Sequence, residues 1–250
     1  MNRIKDYDRL AFDIDRWLKD YYYMYGIKAF VVGVSGGIDS AVVSTLCAKT
    51  ELPTYVLTMP LHSKEENTEL SDLHAKALMK KYTNVRVVNI DLSDTYETLL
   101  FNIDQDFVDN KLANANTKSR LRMVSLYQVA GSVGGIVVGT GNKVEDYGIG
   151  FFTKYGDGGV DIAPIADLYK TEVWKLGEYL NVDERIRDAI PTDGLWDDGR
   201  KDEDQIGASY EQLEEAMEYG RGPALDILDE FNRKNKHKME SIPTFKLEKL

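Results

Sequence analysis

Ser35, Asp39 and Ser40 lie within Gly33-Val34-Ser35-Gly36-Gly37-Ile38-Asp39-Ser40, between the apolar run Ala29-Phe30-Val31-Val32 and Ala41-Val42-Val43-Ser44-Thr45-Leu46. That order reads as strand, glycine turn, helix. Glycines allow positive φ and close approach of the backbone to a ligand. Two hydroxyls are at hand, and the first N–H groups of the new helix face outward with the positive end of its dipole. The chemistry this suits is phosphate binding. The stretch lacks the Gly-Lys-Ser/Thr ending of a Walker A loop and is not Gly-x-Gly-x-x-Gly; the bland alternative is a tight βα turn whose glycines serve geometry alone.

Other residues with chemical potential fall in four places. Lys118-Ser119-Arg120-Leu121-Arg122-Met123 sits in a polar, basic stretch that begins at Asn114 and runs into an apolar helix to Ala130; two arginines two apart cannot share a helical face, so one of them is expected to point at a ligand. Gly141 to Asp161 holds six glycines with interleaved polar and aromatic residues, just beyond a short apolar strand at 135–140, and reads as an active-site loop rather than decoration. The charged run 196–205 reads either as a lid or as a solvated linker. Arg233-Lys234-Asn235-Lys236-His237-Lys238 is either a match to a helix C-terminal dipole or an anion contact.

The elements that must position these groups follow from periodicity. Apolar residues at three- and four-residue steps predict helices over 4–25, from about 63 to 82, from about 93 to 107, over 168–180, and over about 209–219 and 223–235. Runs rich in β-formers at 29–32, 54–59 and 85–90, with 135–140, predict strands. Alternating strands and helices imply one α/β domain spanning 1–250, with a doubly wound, mainly parallel sheet flanked by helices. Ligands of such sheets sit beyond the carboxyl ends of the strands, which puts 59–63 in reach of a nucleotide base. His62 there is only a candidate, and a solvated loop histidine is the favoured reading. Tyr21-Tyr22-Tyr23 reads as a helix-end aromatic cap before a stacking platform.

Composition narrows the field. The 250 residues are 43% apolar and 29% charged, with a formal charge of −11, which argues against a nucleic-acid surface. No stretch approaches a membrane span, and the first residues are charged rather than an apolar leader. One cysteine, Cys47, permits no intramolecular disulfide and no cysteine zinc cluster, and a reducing cytoplasm is the expected compartment.

Ser-Gly-Gly-Ile-Asp-Ser resembles the PP-loop, or N-type ATP pyrophosphatase, superfamily, which cleaves ATP between its α and β phosphates. From about residue 4 to 243 the chain further resembles the NAD synthetase family, on Gly33–Ser40, 118–123, Val138-Gly139-Thr140 with Glu145, Phe151 to Gly159, Asp161, Pro164, Lys170, Pro191-Thr192 and His237-Lys238. The resemblance implies an adenine nucleotide alpha hydrolase-like fold and ammonia-dependent, ATP-driven amidation of deamido-NAD through an acyl adenylate, with AMP and pyrophosphate released. It implies ATP contacts at residues 33–40, Thr140, Lys170 and Thr192, and Mg²⁺ on Asp39 and Glu145. It implies deamido-NAD contacts at Arg120, Lys154, Asp161, His237 and Lys238, which favours Arg120 over Arg122, and a catalytic place for Asp157 near the reacting carboxyl. A homodimer is expected from the family and from Val124, Tyr127, Gln128 and Gly131 at helical spacing, a face that burial within one subunit would equally explain. Leu61-His62-Ser63 lacks an arginine found in some relatives, and Pro191-Thr192-Asp193-Gly194-Leu195 departs from the commoner pattern. Another PP-loop ligase, such as a GMP synthetase core or an RNA sulfur-transfer enzyme, is the alternative enzyme; a non-catalytic nucleotide sensor is the alternative of another class.

Overall fold

A computed structural model describes residues 3–63, 65–191 and 202–247. Its elements in chain order are α1 (Tyr7–Met24), β1 (Phe30–Val34), α2 (Ile38–Lys49), β2 (Thr54–Thr58), α3 (Glu65–Lys81), β3 (Val85–Asn89), α4 (Ser93–Phe101), α5 (Lys111–Val133), β4 (Ile136–Val137), α6 (Lys170–Tyr179), α7 (Glu184–Arg187), α8 (Asp202–Ile206), α9 (Tyr210–Tyr219) and α10 (Leu225–Met239). The strands form one parallel sheet in the order β3-β2-β1-β4, with Val34 opposite Thr58 and Thr58 opposite Asn89. All their carboxyl ends therefore open on the same edge.

Alternation along the strands divides the core. Phe30, Val32 and Val34 of β1 pack on one face with α1, α2, α3, α6 and α7, while Val31 packs on the other with α4 and α5. Helices thus cover both faces of a parallel sheet, as a doubly wound fold requires. A third apolar cluster joins α9 and α10 to Val144 and Ile149. No helix among the described residues is long and apolar enough to cross a membrane.

Three local departures from the periodicity have visible causes. The polar, basic stretch from Asn114, expected to begin as a loop, is helical from Lys111, because Asn110 Oδ1 caps Ala113 N–H at 3.0 Å and Asn114 Nδ2 anchors Val108 O at 2.7 Å. The helix expected to run to 107 stops at Phe101, and a separate 3₁₀ turn starts where Asp104 Oδ1 accepts Asp106 N–H at 3.1 Å. Within the glycine-rich stretch, Lys143–Ile149 forms a π-helical turn, opened by Asn142 Oδ1 accepting the N–H groups of Val144 and Glu145 and closed by Gly150 at φ 62°. Such turns recur at functional sites.

Candidate active site

The turn between β1 and α2 is built by its serines. Ser40 Oγ accepts Ser35 N–H at 3.1 Å and donates to Gly37 O at 3.0 Å, while Ser35 Oγ accepts Gly37 N–H at 3.3 Å. Gly36 holds φ 90°, a conformation open to glycine and strained for other residues. Gly37, the N-cap of α2, offers no side-chain acceptor to the first turn. The loop is closed upon itself, and the helix end is left to an anion.

Asp39, in the first turn of α2, meets two distant segments. Lys170 Nζ lies 2.6 Å from Asp39 Oδ2 and 3.0 Å from Glu145 Oε1, and Asn142 Nδ2 donates to Asp39 Oδ1 at 3.2 Å. Tyr210 Oη donates to Glu145 Oε1 at 2.6 Å, and its ring stands against Trp174. Lys170 is buried; burial alone would lower its pKa, but the two carboxylates outweigh that and hold it charged. Burial pushes the Asp39 carboxyl up against the pull of Lys170. At Glu145 burial works in the same sense, yet Lys170 and the Tyr210 hydroxyl hold it below the ordinary value. Burial, then Glu145, Asp157 and Asp39, push Asp146 well above the usual carboxylate range. One ammonium therefore sits in a pocket with an excess of negative charge.

Further along the cleft, Asp157 Oδ1 accepts Ser119 Oγ at 2.7 Å and Thr153 N–H at 3.1 Å. Burial in the cleft raises its pKa, opposed by those two hydrogen bonds. Ser119 comes from α5, and Thr153 is steadied by Asn116 of the same helix at 2.7 Å. Gly156 packs against Ser119, where a Cβ would collide with the hydroxyl. Arg120 Nε reaches Lys154 O at 3.3 Å, Lys154 Nζ reaches His237 O at 2.9 Å, and Lys238 Nζ reaches Phe152 O at 2.8 Å. The end of α10 is thus bound to the 152–154 segment. Asp161 stands apart: its oxygens accept Val137 N–H at 2.7 Å and Tyr127 Oη at 3.0 Å, at the β4 edge of the sheet.

The sequence profile of the NAD synthase family matches residues 10–245. The chain belongs to the NAD synthase family. An NH(3)-dependent NAD(+) synthetase of Finegoldia magna is 33% identical over 246 residues, 98% of this chain and 98% of that protein. The structure of an NMN synthetase from Francisella tularensis superposes with a TM-score of 0.90 at 32% identity, over 98% of this chain and 100% of that one. An NH3-dependent NAD synthetase from Campylobacter jejuni, solved with nitrate, superposes at 0.77 with 25% identity, over 97% and 100%.

Within this NAD synthase fold, Asp39, Glu145 and Lys170 meet at one point, and Arg120, Lys154, His237, Lys238 and Asp157 line a second region tied together by α5 and α10. Thr140 follows β4 on the carboxyl edge, whereas Asp161 is occupied in joining β4 to α5. Thr192 lies outside the described residues, as does the run 196–201 of the charged segment. His62 turns away, its Nε2 2.9 Å from Glu97 Oε1 on α4. Asn142, Asp146 and Tyr210 join the site without having been singled out. Asn142 caps, and Asp146 lies on, the π-helical turn that carries Glu145, which no helical or strand period reveals, and Tyr210 arrives from a helix 65 positions beyond its partner.

Proposed function

We propose that this chain is an ammonia-dependent NAD synthetase: it adenylates the nicotinate carboxylate of deamido-NAD with ATP and amidates the acyl adenylate to NAD. The observation that carries this reading is the meeting of Asp39, Glu145 and Lys170 beside an uncapped helix end and a self-closed glycine loop, in a chain of this family. The triphosphate lies on residues 33–40 and near Thr140 and Lys170, with the base toward 59–63, and the family resemblance alone assigns Thr192 to ATP. A carboxylate oxygen of nicotinate bonds to the α-phosphorus as the bond to pyrophosphate breaks. The loop N–H groups and Lys170 hold the departing charge. Ammonia then attacks the acyl carbon, the bond to AMP breaks, and Asp157, whose second oxygen is not engaged by Ser119 or Thr153, takes the proton the nitrogen sheds.

Asp39 and Glu145 would hold Mg²⁺. They fit it, because hard oxygen donors from separate elements converge on a single cation and one ammonium leaves negative charge in excess. Bound there, it supplies positive charge to the pyrophosphate. Arg120, Lys154, His237 and Lys238 serve the dinucleotide, and the family resemblance alone assigns Asp161, which stands apart from them, to the same ligand.

The assembly is a homodimer across α5. Val124, Tyr127, Gln128 and Gly131 all face outward, and Val124 is 57% exposed, which leaves the stripe available to a second copy rather than to the subunit's own core. The compartment is the cytoplasm, where the buried thiol of Cys47 needs no disulfide partner. A second reading is amidation of nicotinate mononucleotide to NMN, favoured by the higher TM-score to the Francisella enzyme, 0.90, than to the Campylobacter one, 0.77. Supplying both acids in equal amounts with ATP, Mg²⁺ and ammonium tests both readings. NAD formed ahead of NMN supports the first, NMN formed ahead of NAD the second, and neither amide rejects both.

A further inference from the structure

Arg122 is a guanidinium turned into the cleft and, among the described residues, it pairs with no carboxylate. Its Nε donates to Met59 O at 3.2 Å and its Nη2 to Ser63 Oγ at 3.3 Å, both neutral acceptors. Arg3, Arg9 and Arg185 each pair with a carboxylate, whereas among the described residues none lies in ion-pair range of Arg122. An arginine carries five N–H donors in a planar fork, and its bonds to the described residues engage two of them. Burial lowers its pKa and Asp157 is the carboxylate whose charge offsets this, which agrees with a cation placed in the cleft and short of an anion.

Its position says which anion. Met59 directly follows β2, whose Thr58 lies opposite Val34, so Arg122 stands at the carboxyl end of the strand beside the glycine loop. The Met59 side chain rests against Gly33, 3.1 Å from where a Cβ would be. With the β and γ phosphates on 33–40 and the base on 59–63, the group that joins them crosses the point where Arg122 holds Met59 and Ser63. Arg120 is two residues away on α5, on another face, and is bound to Lys154 O.

We propose that Arg122 binds the α-phosphate of the nucleotide and so fixes the phosphorus that the carboxylate attacks. It keeps its proton throughout; its fork neutralises the non-bridging oxygens while one P–O bond forms and the other breaks. This rests on the nucleotide placement given under Proposed function.

The test compares AMP, which carries the α-phosphate, with adenosine, which lacks it, by calorimetric titration of wild type, R122Q, R122K and S63A. R122Q should weaken AMP by about 10- to 100-fold and leave adenosine unchanged. R122K should weaken AMP less, again with adenosine unchanged, and S63A should preserve the wild-type ratio because it removes only the loop contact. Equal weakening of both ligands in R122Q and R122K, unchanged AMP affinity, or the R122Q pattern reproduced by S63A would overturn the proposal. Wild-type turnover is measured alongside, so that failure to make NAD counts against the functional reading and loss of the AMP preference in wild type counts against this one.

Discussion

Lys170 holds Asp39 at 2.6 Å across 131 positions of sequence, and the same ammonium holds Glu145 at 3.0 Å. The lysine thus makes tolerable a pair of buried carboxylates that would otherwise repel. Removing either acid leaves a simple ion pair, so D39A and E145A should retain wild-type melting temperatures while losing NAD synthesis by about 1,000-fold or more. Melting far below wild type in both variants would mark the acids as structural instead.

K170M should behave in the opposite way. It strands two carboxylates without a cation, and stability in EDTA should fall by about 3 kcal/mol. Millimolar Mg²⁺ should restore much of that loss if the acids bind the ion. Denaturant unfolding of K170M with and without Mg²⁺ reads this directly, and a stability that ignores the ion speaks against the metal assignment.

His74 adds a pH dependence remote from the site. It is buried, its Nε2 lies 2.9 Å from Ser44 Oγ, and burial drives its pKa down to about 4 from 6.5. Because the folded value lies below the unfolded one, the neutral ring's contribution is complete above about pH 6.5 and is lost as pH falls toward 4. That loss is of order 3 kcal/mol. H74Q, which does not titrate, should show a flatter stability profile between pH 7 and pH 4.5 than wild type; parallel profiles would exclude this role.

Cys47 bears on the source of nitrogen. It is fully buried on α2 and its thiol is pushed up to about 12, so it is no nucleophile. C47A should make NAD from ammonium within about twofold of wild type. Glutamine should support no synthesis by either protein once free ammonium has been removed. Glutamine-driven synthesis that C47A abolishes would reverse the assignment.

For the assembly, V124D places a charge in the exposed stripe of α5, and light scattering should shift from twice 28.3 kDa to a single chain without a change in melting temperature. Wild type that scatters as one chain would exclude the dimer.

The sequence carried the sheet and the phosphate loop because both are local. Alternation places Phe30, Val32 and Val34 on one face, and the glycines and serines that close the 33–40 turn are each other's partners. The remainder depended on long-range pairing or on caps. Asn110 converts an apparently loop-like stretch into the start of α5, and Asn142 builds a π turn out of residues that read as a glycine loop. Arg120 and Arg122 could be told to face different ways by spacing alone. Which part of the cleft each one meets follows from its partners, Lys154 for Arg120 and Met59 with Ser63 for Arg122, and those meetings are tertiary.

The adenylation step itself is tested most directly with deamido-NAD carrying ¹⁸O in its nicotinate carboxyl group. With ATP, Mg²⁺ and ammonium, the expected result is NAD, with one ¹⁸O delivered to the phosphate of AMP and none to pyrophosphate. NAD formed with ADP and orthophosphate as the other products, or AMP free of label, would contradict attack of the carboxylate at the α-phosphorus.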